Sequence, residues 1–169
     1  MMKTLLFLVK TGISVPIFLP RIYIWLINFL LLSGFYTPLS AQISSNSQID
    51  SVITKARSYW GIPHAARSNS GLDCSGLMMR SYASIGIKLE RCSRSQVAQG
   101  KAVKRDELRK GDLVFFKVRG RIGHVGMVVS ELGEAVRFIH TSASAGVKED
   151  TLNKKFWTNC YVTARRILF

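Results

Sequence analysis

Hydrophobic and polar positions divide the chain into three stretches. From Ile22 to Phe35 it is apolar almost without a break, interrupted by Asn28, Ser33 and Gly34. A polar stretch, QISSNSQ at 42–48, follows. Ile49, Val52, Ile53, Ala56 and Tyr59 or Trp60 then recur at helical spacing and predict an amphipathic helix over 48–59, ended by Gly61 and Pro63. Residues 61–73 read as a loop. Leu77, Met78, Tyr82 and Ile85 predict a second helix from Cys74 to Ile85, with Gly86 as its stop. Ser93 to Ala98 reads as a short helix. Past Lys110 the period becomes two, predicting strands at 113–118, 124–130, 135–141 and 161–168. Arg119-Gly120-Arg121 and Glu131-Leu132-Gly133 are the expected hairpin tips, and Thr151 is expected to cap a short helix running through Phe156. Helices first and an antiparallel sheet afterwards is an α+β layout.

The leading segment changes the picture of location. Lys3, Lys10 and Arg21 are the only charges in residues 1–41, and small residues stand near Ser40-Ala41. Positive residues, an apolar run and small residues form the pattern of a secretory signal peptide. A spanning helix needs roughly 20 apolar residues, more than the run from Ile22 supplies. An uncleaved anchor, associating with a membrane through residues 4–35, is the alternative. The expected organisation is therefore a signal peptide or anchor over 1–41, a linker over 42–48 and one domain over 49–169, exported to the periplasm or cell envelope.

Of the formal net charge of +14, +11 falls on residues 42–169. The basic residues are scattered and form no nucleic-acid motif, so an anionic wall polymer is a better expected partner than nucleic acid. Three cysteines, at 74, 92 and 160, leave at least one thiol unpaired within the chain. Cys92 and Cys160 could pair if oxidised.

Candidate chemistry starts at Leu72-Asp73-Cys74-Ser75-Gly76-Leu77, which puts a Cys in the first turn of a helix. Free N–H groups there carry partial positive charge, favour a thiolate and could hold an oxyanion. A small buried hydrophobe is the commoner fate of a Cys. Gly123-His124-Val125-Gly126 and Phe138-Ile139-His140-Thr141 lie on consecutive strands. If Ser130 pairs with Glu134 around a three-residue loop, His124 falls directly opposite His140 on one face. A slip of one residue would separate the two. Together these residues suit nucleophilic catalysis, with Cys74 attacking a carbonyl, His124 moving its proton and His140 orienting His124. One Cys and two His could instead hold zinc, but the spacings match no usual site. No metal or cofactor is expected.

In this order LDCSGL, LERCSRSQ, GDLVFF, HVGMVV and FIH resemble the NlpC-type cell-wall cysteine peptidases, over roughly residues 50–168. The resemblance implies a papain-like core with helices packed on an antiparallel sheet. It implies hydrolysis of peptide bonds in peptidoglycan stems by Cys74, His124 and His140, with Asp73 and Ser75 recognising the stem peptide beside the nucleophile. It gives Arg91 and Gln96 structural roles. Two positions depart from the family pattern. Its Tyr-Gly-Gly loop is replaced by Gly61–Ser68, where His64 could take the tyrosine's place toward substrate, and Glu90 stands for its proline. A binding module that kept the fold, and an amidase or acyltransferase on it, are the alternative functions.

Overall fold

A computed structural model describes residues 39–65 and 72–169. The targeting reading of 1–41 falls almost wholly outside these residues, as does the part of the first loop at 66–71. Among the described residues no helix is long and apolar enough to cross a membrane.

Helix α1 runs Leu39–Arg57. It therefore takes in residues 42–48, expected as a linker, and starts nine residues before the predicted point. QISSNSQ is polar but contains neither Gly nor Pro, and nothing breaks the helix after Pro38. Helix α2, Cys74–Ala83, and the short α3, Ser93–Gln96, form where their patterns place them. Six strands follow: β1 (Lys101–Val103), β2 (Leu113–Val118), β3 (Arg121–Val128), β4 (Arg137–Ser142), β5 (Gly146–Thr151) and β6 (Tyr161–Arg166). Helix α4, Lys155–Cys160, lies between β5 and β6. It begins four residues beyond Thr151, because the predicted capping position is the last residue of β5.

The strands form one antiparallel sheet in the order β1-β6-β2-β3-β4-β5. Its two faces bury separate cores. Leu113, Phe115, Val125, Met127 and Ile139 pack with Val52 and Ile53 of α1 and with Leu77, Met78 and Tyr82 of α2. Val114, Phe116, Val128, Phe138, Leu152 and Ala164 form the other core, against which Trp157 of α4 packs. The Tyr82 hydroxyl donates to the carbonyl of Gly111, tying the far end of α2 to the turn that enters β2.

The β2–β3 hairpin closes through Arg119-Gly120, both with positive φ, 51° and 78°. Two left-handed residues match the twist of a two-residue hairpin. The pairing then slips: Phe116 faces His124, but Lys117 faces Ile122, leaving Gly123 as an extra residue. Such a bulge re-aims the side chain beside it, and here that side chain is His124.

Candidate active site

Cys74 opens α2 and is 8% exposed. Asp73 caps the helix, its carboxylate accepting from the backbone N–H of Gly76. A Cβ at Gly76 would lie 2.9 Å from that same Asp73 oxygen, so the cap requires glycine there. Burial pushes the Cys74 thiol up, partly countered by the N–H of Val125, which bonds to the sulfur. The nearby Asp73 charge raises it further, and the N–H groups of Ser75 and Cys74 lower it. The net direction is upward. The sulfur thus sits against β3 at the residue that follows His124.

His124 and His140 meet. Nε2 of His124 lies 3.0 Å from Nδ1 of His140, with the rings 82° apart. The pairing differs from the expected one: Met127 faces Ile139 and Val128 faces Phe138. Continued one step, this register sets Gly126, not His124, across from His140. The difference is two residues, which preserves the face, so the imidazoles still meet diagonally. The predicted three-residue loop does not form. Val129 pairs with Arg137, and the longer connection is held by Ser130 Oγ accepting from Arg137 N–H and Glu134 accepting from Glu131 N–H.

The Trp157 indole stacks on His124 with centroids 5.5 Å apart and planes 22° apart, and it meets His140 nearly edge-on. Burial pushes His124 down to about 3, helped by the proximity of His140 and His64. Burial also lowers His140, more than its bond to Asp150 raises it. His64 is half-buried and near enough for its charge to be felt at His124.

Asp73 and Ser75 flank the thiol. The Asp73 carboxylate is engaged by protein groups: the Ser75 hydroxyl at 3.0 Å, and Arg91 at 2.6 and 3.2 Å, besides the Gly76 N–H. Burial raises this carboxyl, but the Arg91, Gly76 and Ser75 bonds outweigh it and leave the value lowered. Beside Asp73 is a cavity of about 230 Å³ lined by Leu72, Met79, Arg80 and Arg91 among others. Gln96 is fully buried and donates to the carbonyls of Ser75 and Glu90, joining α3 to the nucleophile's turn. All three cysteines are free. The exposed Cys92 thiol lies 3.3 Å from the Ser95 hydroxyl, which pulls it below its ordinary value.

One residue escaped the sequence reading. Asp150 Oδ2 lies 3.1 Å from Nε2 of His140. It is carried by β5, whose run GVKEDT is too charged to read as a strand. The available signals were the short TSASAG turn after FIH and the Gly-Val pair that opens the returning strand. Among the described residues no group of His, Cys, Asp and Glu is arranged to hold a metal ion.

These values make the fold acid-sensitive. His124 is held near 3 in the folded state against about 6.5 unfolded. Between those values the unfolded chain binds the extra proton, so stability falls as pH drops through this window. Asp150 and Asp73, both depressed, add a further loss below about pH 4, where their unfolded carboxyls protonate first. The urea midpoint should therefore fall steadily from pH 7 to pH 4. His124→Gln should flatten the part above pH 4.5, and an unchanged slope in that variant would refute the assignment.

A helix that presents a thiol to an antiparallel sheet carrying paired imidazoles is the layout of the papain-like α+β class. The profile of the NlpC/P60 family matches residues 59–166, and the chain belongs to that family. Murein DD-endopeptidase MepS/Murein LD-carboxypeptidase of Escherichia coli is 36% identical over 102 residues, covering 60% of this chain and 52% of that protein. This chain thus spans about half the length of that relative. The probable endopeptidase NlpC of Escherichia coli is 32% identical over 155 residues, covering 87% of this chain and 99% of that protein. Among solved structures, an NlpC/P60 family protein from Bacillus cereus superposes with a TM-score of 0.63 at 34% identity, over 72% of this chain and 40% of that one. The peptidoglycan hydrolase RipB of Mycobacterium tuberculosis shares the fold, with a TM-score of 0.63 at 24% identity, over 84% of this chain and 78% of that one.

Proposed function

We propose that the protein is an exported cysteine endopeptidase that hydrolyses amide bonds in peptidoglycan stem peptides or cross-links. The observation that carries this reading is the Cys74 sulfur bonded by the Val125 N–H, next along β3 from the His124 that pairs with His140. The names of the relatives, the family membership and the +11 charge on residues 42–169 favour a wall substrate.

Burial raises the thiol and lowers the imidazole, so at neutral pH the resting pair is uncharged. His124 then acts as a general base during attack, rather than as half of a standing ion pair. The Cys74 sulfur bonds to the carbonyl carbon as its proton passes to His124. The N–H groups at the start of α2 receive the oxyanion. As the intermediate collapses, the C–N bond breaks and His124 gives its proton to the leaving amine, leaving a thioester. Water attacks that thioester, His124 takes the water's proton, and the acid product leaves as the thiol is restored.

Asp73 Oδ1 caps α2 while its partly exposed Oδ2 is shared with Arg91, so a substrate amine at this carboxylate would compete with or join the Arg91 pair. The Arg80 and Arg91 side of the adjoining cavity suits a stem-peptide carboxylate. Purified protein incubated with defined wall peptides should yield new amine and carboxyl ends, located by mass spectrometry. Intact substrates at every position after prolonged incubation would exclude the peptidase reading.

A further inference from the structure

We propose that Asp150, clamped by Lys148 and Lys154, is a positioning residue that sets the order of protons along His140 and His124 and so reserves the Nδ1 lone pair of His124 for the Cys74 thiol. The proposal deepens the cysteine-peptidase reading and rests on it.

The placement follows from the sheet. His140 of β4 faces Lys148 of β5, and Phe138 faces Asp150. Lys148 and Asp150 therefore share the face of His140, with Asp150 on the diagonal. The Asp150 side chain is 8% exposed although β5 is an edge strand. Its Oδ2 lies 3.1 Å from His140 Nε2 and 3.2 Å from Lys148 Nζ, while Lys154 Nζ holds Oδ1. These are the charged groups that face it from β4, from its own strand and from the turn before α4. Those felt at His124 are His140 and His64, and the thiol at the start of α2 meets β3 at the next residue, through the Val125 N–H.

An ionised carboxylate only accepts hydrogen bonds. Burial raises the Asp150 carboxyl, but the bonds from Lys154, His140 and Lys148 outweigh it and keep the group ionised. Nε2 of His140 must then carry hydrogen. A neutral imidazole has one N–H, so Nδ1 of His140 is a bare acceptor. Its 3.0 Å contact with Nε2 of His124 requires the hydrogen to lie on the latter. Nδ1 of His124 is left bare and able to take a proton. Without Asp150 the reverse order would satisfy the His–His contact equally well. His140 would then donate, His124 would carry its hydrogen on Nδ1, and no base would face the thiol. The two ammonium groups offset the carboxylate's charge, so it orders the protons without drawing an extra one onto the imidazoles.

The test uses protein carrying Cys92→Ser and Cys160→Ser, labelled with ¹⁵N-histidine. NMR at pH 7 should find the hydrogen on Nε2 of both His124 and His140. Hydrogen on Nδ1 of His140 would overturn the proposal whatever the activity. In Asp150→Asn the amide can donate as well as accept, so the order becomes mixed. Iodoacetamide labelling of Cys74 and kcat on wall peptides should both fall ~10–100-fold, with KM little changed. In Lys148→Gln/Lys154→Gln the carboxylate remains but its charge is no longer offset. The Nε2 order should persist while the acid limb of labelling moves to higher pH. A folded Asp150→Asn protein with wild-type rate and pH profile would refute the role of Asp150 alone. Rapid neutral-pH labelling in His124→Ala would instead refute the base assignment, and this proposal with it.

Discussion

Cys74→Ser should lower the release of wall-peptide fragments by about 10⁴-fold or more, with the circular dichroism spectrum unchanged. The size follows from the surroundings of the sulfur. Its imidazole base is a weak one, pushed down to about 3 by burial and by the neighbouring His140 and His64. Such a base can assist a thiol, even one pushed up by burial, but it is poorly matched to an alkanol, which is far less acidic. Serine fills nearly the same space and keeps the Asp73 cap, so the loss reports chemistry rather than unfolding. Cys92→Ser is the control. That thiol is exposed and bonded to Ser95 rather than to the sheet, and the variant should retain full activity. Equal fragment release from the Cys74→Ser and wild-type proteins, measured by liquid chromatography, would remove Cys74 from the mechanism.

Gly126→Ala should lower both stability and turnover. An added Cβ would stand 2.6 Å from Cδ2 of Phe138, 3.0 Å from the Ile139 carbonyl oxygen and 3.3 Å from Cβ of His140. Phe138 is fully buried between Phe116 and Trp157, so its ring has nowhere to retreat. Forcing a methyl group into such a core costs ~1–3 kcal/mol. Relief comes most easily by moving β4 away from β3, which lengthens the His124–His140 contact. Displacing a positioned group by about 1 Å can reduce rate ~10²-fold. Urea melts and kcat should fall together. A variant with wild-type melting and turnover would show that the two strands do not pack this closely.

The helix of the nucleophile was legible because its signals agree. An apolar period of 3.6 and a terminal Gly mark the same segment, and the helix forms there, with Asp73 found as its cap. The β3–β4 pair was legible in face but not in register. Alternation fixes which side chains share a side, whereas the connection fixes the offset. Ser130 and Glu134 close that connection with their side chains, a contact that backbone turn rules do not anticipate. Strand β5 was not legible, since Lys148, Glu149 and Asp150 break the apolar alternation. Those charges meet partners supplied by other elements: Glu149 binds Arg57 and Arg137, and Asp150 binds His140 and Lys154. The fourth polar residue of the site was hidden for the same reason as its strand. The early start of α1 is not legible because a polar run resembles a linker, although composition without Gly or Pro does not end a helix.

The sulfur packs with the core beneath α2 and the imidazoles with the aromatic cluster around Trp157, and the two meet at the bulged start of β3, where the Val125 N–H reaches the thiol and His124 is the preceding residue. That strand therefore serves as a common ruler. Repacking beneath α2 shifts the nucleophile while leaving the aromatic cradle of the base in place, and changes around Trp157 do the converse. Each half can be altered by itself, so long as the strand that joins them keeps its length, its bulge and its bare position at 126.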